Sequence, residues 1–406
     1  MKKILAFTFL FFFNVYIAYA NQTSFLIKDA NRYTAKDILN KTDKIDDNYI
    51  LFDCLYDSNV ENIDAYSLFL HMKEKGINAY YALLKDNLLY KKLKNQNKLE
   101  NIIGIDNNIR YYARDFINAI SHLLPKTKAI ITSFEIGNNL DYVFNNMPNL
   151  QYIFIQHGQI YFKESILREG YLNNRLFDKI LVSSENETNI LKKYGWKDEQ
   201  FIKSGLPRFD FLKKSSDKND EKSIFIMFTW RKTNPNIFQQ SLYFNKINSL
   251  ISNKDFIDFL KAKNVKIYFA PHHALNEVGK INLTITNPYV HNIKTTDISK
   301  YIKKSSLLLT DLSSVAFDFM FQNKPVILYG LDKGDKLLEK NQYRDLELLK
   351  EKTFPNIFFD ENAVIEKIKY YVNNDFKVEK EVLDIYDTFF YIKDNIREDL
   401  TNQIVK

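Results

Sequence analysis

Apolar and polar residues alternate along this chain in two rhythms. Short runs rich in Ile, Tyr, Phe and Val, four to eight residues long, occur at 49–55, 77–84, 101–105, 129–134, 151–155 and 179–182. Their length and their β-branched or aromatic content predict strands. Between them lie longer segments with apolar residues every three to four positions, the period of a helix with one buried face. Helices are expected at 60–75, with Asp57 or Ser58 as the cap, and at 108–124, stopped by Pro125. Strands alternating with helices at this spacing predict βαβ units and a mostly parallel, doubly wound sheet.

The rhythm breaks at 213–222, Lys-Lys-Ser-Ser-Asp-Lys-Asn-Asp-Glu-Lys, a stretch without an apolar residue that suits an interdomain linker. It resumes with strands at 223–228, 265–269, 306–309 and 325–329 and helices at 239–263, 313–323 and 362–373, and 386–404 also has a helical period. The expected organisation is an apolar segment at 1–20, an N-terminal α/β lobe at 21–212, the linker at 213–222, a second α/β lobe at 223–385 and a C-terminal helix at 386–406. Two doubly wound, Rossmann-type lobes imply a cleft, and ligands of open α/β sheets bind beyond the carboxyl ends of the strands.

Composition changes this picture in three places. After Met1-Lys2-Lys3 a nearly unbroken apolar run extends from Ile4 to Ala20, interrupted at Asn14, and it closes with Ala18-Tyr19-Ala20. That pattern reads as a secretory signal cleaved after Ala20, which would leave a periplasmic or secreted protein. As a helix it would cover roughly 25 Å at 1.5 Å per residue, short for a span, so a membrane-surface anchor is the other reading. The lone cysteine, Cys54, excludes a disulfide framework and a Cys-based metal cluster. The 57 Lys and Arg exceed the 50 Asp and Glu by only seven, and the two signs are interspersed, so no nucleic-acid partner is expected while a local anion site fits.

Unusual polar residues gather at predicted strand ends. Gln156-His157-Gly158 follows the strand at 151–155, and Pro271-His272-His273 follows the one at 265–269. A histidine there is placed for proton transfer near neutral pH, or is held by loop carbonyls. Thr310-Asp311-Leu312-Ser313-Ser314 lies where a strand turns into a helix; the serines read as a phosphate site at the helix terminus or as plain N-caps. Thr229-Trp230-Arg231 and Gly205-Leu206-Pro207-Arg208 bring two arginines, each a candidate for a phosphate or for a surface ion pair. No Walker loop, His-Glu-x-x-His, Gly-x-Gly-x-x-Gly or Asp-x-Asp occurs. No metal or cofactor is therefore expected, and cationic side chains and helix N-termini are left to neutralise phosphates.

Taken in order, these blocks, with Val315-Ala316-Phe317-Asp318-Phe319 and Lys324-Pro325-Val326-Ile327-Leu328-Tyr329, resemble the CDP-glycerol glycerophosphotransferases over roughly residues 150 to 400. These enzymes make teichoic acids and related capsule polymers and have a GT-B fold. The resemblance implies that His157 and His272 are catalytic, His157 taking the proton of an acceptor hydroxyl and His272, or failing it His273, contacting the donor diphosphate. It implies substrate-binding roles for Gly158, Arg208, Thr229, Arg231, Thr310, Asp311, Ser313, Ser314 and Asp318. The donor would be CDP-glycerol or a similar CDP-alditol, the acceptor a polymer or a lipid-linked glycan. Such donors are made in the cytoplasm, which shifts the expectation for residues 4–20 toward an anchor at the cytoplasmic face of the membrane. A GT-B glycosyltransferase using a nucleotide sugar and a periplasmic two-lobed solute-binding protein are the alternatives.

Overall fold

The computed structural model describes residues 47–53, 64–106, 112–133, 147, 149–162, 172, 176–213, 221–229, 235–272, 287–294, 297–331, 333, 335 and 354–406. The apolar segment at 4–20, the caps Asp57 and Ser58 and most of the polar stretch at 213–222 lie outside the described residues. Among the described residues no helix is long and apolar enough to cross a membrane.

The strands form two sheets. The first contains β1 (Asn48–Phe52), β2 (Ala79–Leu84), β3 (Ile102–Ile105), β4 (Thr127–Thr132), β5 (Gln151–Phe154), β6 (Lys179–Val182) and β7 (Phe201–Lys203), in the order β3-β2-β1-β4-β5-β6-β7. The second contains β8 (Glu221–Ile226), β9 (Lys266–Phe269), β10 (Val290–Asn292), β11 (Ser305–Thr310), β12 (Val326–Tyr329) and β13 (Ile357–Phe358), in the order β10-β9-β8-β11-β12-β13. Pairing is parallel from β3 through β5, between β6 and β7, and throughout the second sheet. This is the doubly wound α/β architecture that the alternation predicts. Strands covered on both faces read as continuous apolar runs, and β1, β11 and β12 are buried at every position. In each sheet the chain winds outward from one central strand and then returns to its other side, which puts switch points at β1/β4 and β8/β11.

The helices are α1 (Asp64–Glu74), α2 (Leu88–Asn95), α3 (Tyr112–Ile120), α4 (Glu185–Lys193), α5 (Phe209–Lys213), α6 (Pro235–Gln240), α7 (Leu242–Ser252), α8 (Lys254–Ala262), α9 (Ile298–Lys304), α10 (Val315–Phe321), α11 (Glu361–Asn373), α12 (Lys380–Asp387) and α13 (Ile396–Val405). Three expectations are corrected. The helix expected at 239–263 is broken at Ser241 and Asn253, whose side chains accept from the Phe244 and Phe256 amides and so start α7 and α8 as new helices. The one expected at 386–404 is broken between α12 and α13, where Asn395 takes a left-handed φ of 51°. The helix expected at 108–124 ends at Ile120, and Pro125 sits in the 3-10 turn Leu124–Lys126 that leads into β4.

Two compact units divide the chain: one is drawn from Met1–Tyr56, Phe69–Phe154 and Arg175–Asp178, the other from Asp57–Leu68, Ile155–Asn174 and Lys179–Lys406. In the second unit the core around the β8–β13 sheet is built from Ile, Leu, Val and aromatic side chains, among them Ile226, Leu309, Ile327, Tyr243 and Tyr371. Its C-terminal segment is knitted to earlier parts of the same unit. Phe389 packs its ring 5.1 Å from Tyr161 and 5.4 Å from Phe317, and Phe390 lies 5.3 Å from Phe321. The Tyr391 amide donates to the Ser183 carbonyl at 2.7 Å, and Asp210 accepts from the Ile396 and Arg397 amides at 3.1 Å each. Gly205 permits this approach, since a methyl group there would stand 3.0 Å from Ile396.

Candidate functional site

The site is built within the second unit, from the loop that follows β5. Gln156 adopts a left-handed φ of 59°, and its Nε2 donates to the Leu181 carbonyl at 2.5 Å. A bulky residue holds that conformation only when its surroundings over-determine it. The turn pushes one side chain outward: every residue from 152 to 162 is buried except His157. Beyond it, Gln159 donates to the Phe389 carbonyl at 3.1 Å, and the Ile160 amide donates to Glu187 at 2.7 Å. Gly158 has a steric reason to be glycine, because a methyl group there would lie 2.9 Å from Ser314 Cβ and closer still to its hydroxyl. The His157 loop therefore rests on the start of α10.

Arg208 joins these parts from beneath. Its guanidinium donates to Asp64 at 2.5 Å, to Asp318 at 2.8 and 3.3 Å and to the His157 carbonyl at 3.3 Å, while its amide donates to Asp64 at 2.9 Å. Both carboxylates are buried. Burial works against the charge on Arg208, but Asp318 and Asp64 outweigh it and hold the guanidinium protonated beyond its ordinary range. Burial pushes the two carboxyls up and Arg208 pulls them back. The fork that suits a phosphate is thus engaged with two carboxylates, and Arg208 and Asp318 brace His157 and α10.

The carboxyl ends of three adjacent strands, β9, β8 and β11, supply the remaining residues. Thr229, after β8, donates to Asp311 through its amide at 2.8 Å and its hydroxyl at 2.6 Å, and Thr310 donates to the Met227 carbonyl at 2.5 Å. These bonds tie the ends of β8 and β11 together at their switch point. Ser313 accepts weakly from the Val315 amide at 3.4 Å, and Ser314, at the cap position of α10, makes no capping hydrogen bond. His272 follows β9 and is half-buried. His157, Gly158, Arg208, Asp318 and Ser314 are thus brought together, Thr229, Thr310 and Asp311 join the ends of β8 and β11, and Ser313 follows them in the turn before α10. Arg231 and His273 lie outside the described residues.

Three features escaped the sequence reading. Asp64 is an ordinary acidic residue in the first turn of α1, with nothing local to mark it as the partner of Arg208. Glu187 sits three residues after Ser184 and so reads as half of a capping box; Ser184 does accept from the Glu187 amide at 3.3 Å, but the Glu187 carboxylate turns instead to Ser183 and Ile160. In the first unit, at the β1/β4 switch point, buried Asp53 accepts from Ser133 and from Tyr81 at 3.3 Å.

The model of the CDP-glycerol:poly(glycerophosphate) glycerophosphotransferase family matches residues 36–406. The minor teichoic acid biosynthesis protein GgaB of Bacillus subtilis is 29% identical over 369 residues, which are 86% of this chain and 38% of that protein. The teichoic acid glycerol-phosphate primase of the same organism is 28% identical over 165 residues, 38% of this chain and 40% of the relative. The chain thus spans about two fifths of the length of these curated relatives. Among solved structures, the wall teichoic acid polymerase TagF, in a variant soaked with CDPG, gives a TM-score of 0.58 at 17% identity over 96% of this chain and 99% of that one. A UDP-GlcNAc 2-epimerase from Neisseria meningitidis, bound to UDP-GlcNAc, gives 0.55 at 13% identity over 88% and 98%. At such identities these likenesses show the fold: two Rossmann-type α/β domains.

Proposed function

Because this chain belongs to the CDP-glycerol:poly(glycerophosphate) glycerophosphotransferase family, we propose that it transfers glycerol phosphate from CDP-glycerol to a hydroxyl of a polymer or lipid-linked glycan acceptor, with CMP leaving. The observation that carries this reading is the single exposed side chain, His157, in an otherwise buried stretch backed by Ser314. His157 takes the proton as the acceptor oxygen bonds to the distal phosphorus and the bond from that phosphorus to CMP breaks. No covalent intermediate is required, so catalysis rests on positioning and on charge stabilisation. Ser313, Ser314 and His272 contact the donor diphosphate, with Arg231 and His273 completing the anion site, and no cofactor takes part. Thr229, Thr310 and Asp311 act by fixing the strand ends around it. The enzyme works at the cytoplasmic face of the membrane, held there by residues 4–20.

The test is to incubate the full chain with CDP-glycerol or CDP-ribitol and candidate glycan acceptors, and to identify the released nucleotide by chromatography. CMP release, abolished in His157→Ala with its folded signal intact, is expected. Release of a nucleoside diphosphate from a nucleotide sugar would replace this reading with a glycosyltransferase. Tight uptake of a free solute without turnover would replace it with a binding protein. A mature N-terminus at Asn21 would overturn the cytoplasmic placement.

A further inference from the structure

The structure assigns Glu187 a role as positioning residue: its carboxylate staples the loop carrying His157 to the end of β6. Glu187 is fully buried, in the first turn of α4. One oxygen accepts from the Ile160 amide at 2.7 Å and the other from the Ser183 amide at 2.7 Å. Ile160 is three residues beyond His157, and Ser183 directly follows β6. A buried carboxylate is costly to keep unless its oxygens are matched by donors, and here both are. The same loop is held on its other side by Gln156, whose amide reaches Leu181 on β6. His157 is therefore suspended between two anchors on one strand, and Glu187 is the one supplied by a side chain from a different element. Loss of either acceptor frees a buried backbone N–H and releases the loop that aims the imidazole.

Glu187→Gln is the direct test, since its side-chain amide presents a donor to one of two amides that need an acceptor. Glu187→Asp, too short to reach both amides, is the second variant should the first fail to fold. The inference rests on the transfer reading only for its rate measurement, so two readouts are taken on the full chain. The imidazole resonance of His157, assigned by its loss in His157→Ala, is expected to shift or split in either variant while those of His71, His122 and His291 stay in place. CMP release is expected to fall at least tenfold in kcat, with KM for CDP-glycerol changed less than twofold. An unmoved His157 resonance in a folded variant overturns the positioning role whatever the turnover. A wild-type chain that releases no CMP overturns the transfer reading and leaves the resonance to decide the positioning role.

Discussion

At the scale of single residues, the site rests on buried charge and close contact. Arg208 neutralises Asp64 and Asp318 together, with a bidentate approach to Asp318. Arg208→Ala is expected to cost about 3–5 kcal/mol in urea unfolding, because it leaves two carboxylates buried without their counter-charge. Arg208→Lys is expected to recover only part of this, since an ammonium cannot reproduce the fork. Gly158→Ala presses a methyl group against Ser314. Its destabilisation is expected to be relieved in Gly158→Ala/Ser314→Gly, with a coupling of about 1 kcal/mol or more in a double-mutant cycle. Glu187 carries a pH signature. Burial lifts its carboxyl from the ordinary 4.5 to about 7, so the folded protein holds this proton more tightly than the unfolded chain. Its contribution to stability is full below pH 4.5 and is lost as pH rises through about 7. Relative to Glu187→Gln, the wild type is expected to lose on the order of 3 kcal/mol between those limits, read from urea midpoints.

At the scale of elements, the strands were legible and the helix ends were not. The run at 179–182 coincides with β6, and those behind β2, β5, β9 and β12 are displaced by one or two residues, because buried parallel strands need uninterrupted apolar side chains. The strands β7, β10 and β13, only two or three residues long, carry too short a run to show a period. Helical period survives a break when two helices share one apolar face, which is why Ser241 and Asn253 passed as helix interior. The candidate site divides in the same way. Strand-end motifs such as Gln156-His157-Gly158 are local and stand out, whereas the Arg208–Asp64 pair is separated by 144 residues and no spacing encodes it. One helix end gives a direct prediction. Asp210 accepts from the Ile396 and Arg397 amides and from Arg397 Nε, satisfying the first donors of α13. Asp210→Ala is expected to cost about 1–3 kcal/mol. Native-state hydrogen exchange is expected to show residues 396–405 opening before β11.

At the scale of the whole molecule, the family match covers 371 of the 406 residues, from 36 to 406, although the first half carries no motif that marks it. Periodicity alone indicated its fold, and the β1–β4 order confirms that a doubly wound sheet can be read without a signature. The last twenty residues are integral to the second unit: Phe389, Phe390 and Tyr391 contact rings and backbone around positions 161, 209 and 183. A chain cut after Asp387 is expected to lose CMP release and the cooperative unfolding of α4, α5 and the loop at 155–162, measured by hydrogen exchange. The bond from Gln159 to the Phe389 carbonyl spans 230 positions of sequence, and this sets an order of events in the living cell. A ribosome adding about 5–20 residues per second needs on the order of tens of seconds to travel that distance. The loop that carries His157 is therefore made well before the residue that completes its bonding, so a nascent chain carries His157 long before that loop is held in place.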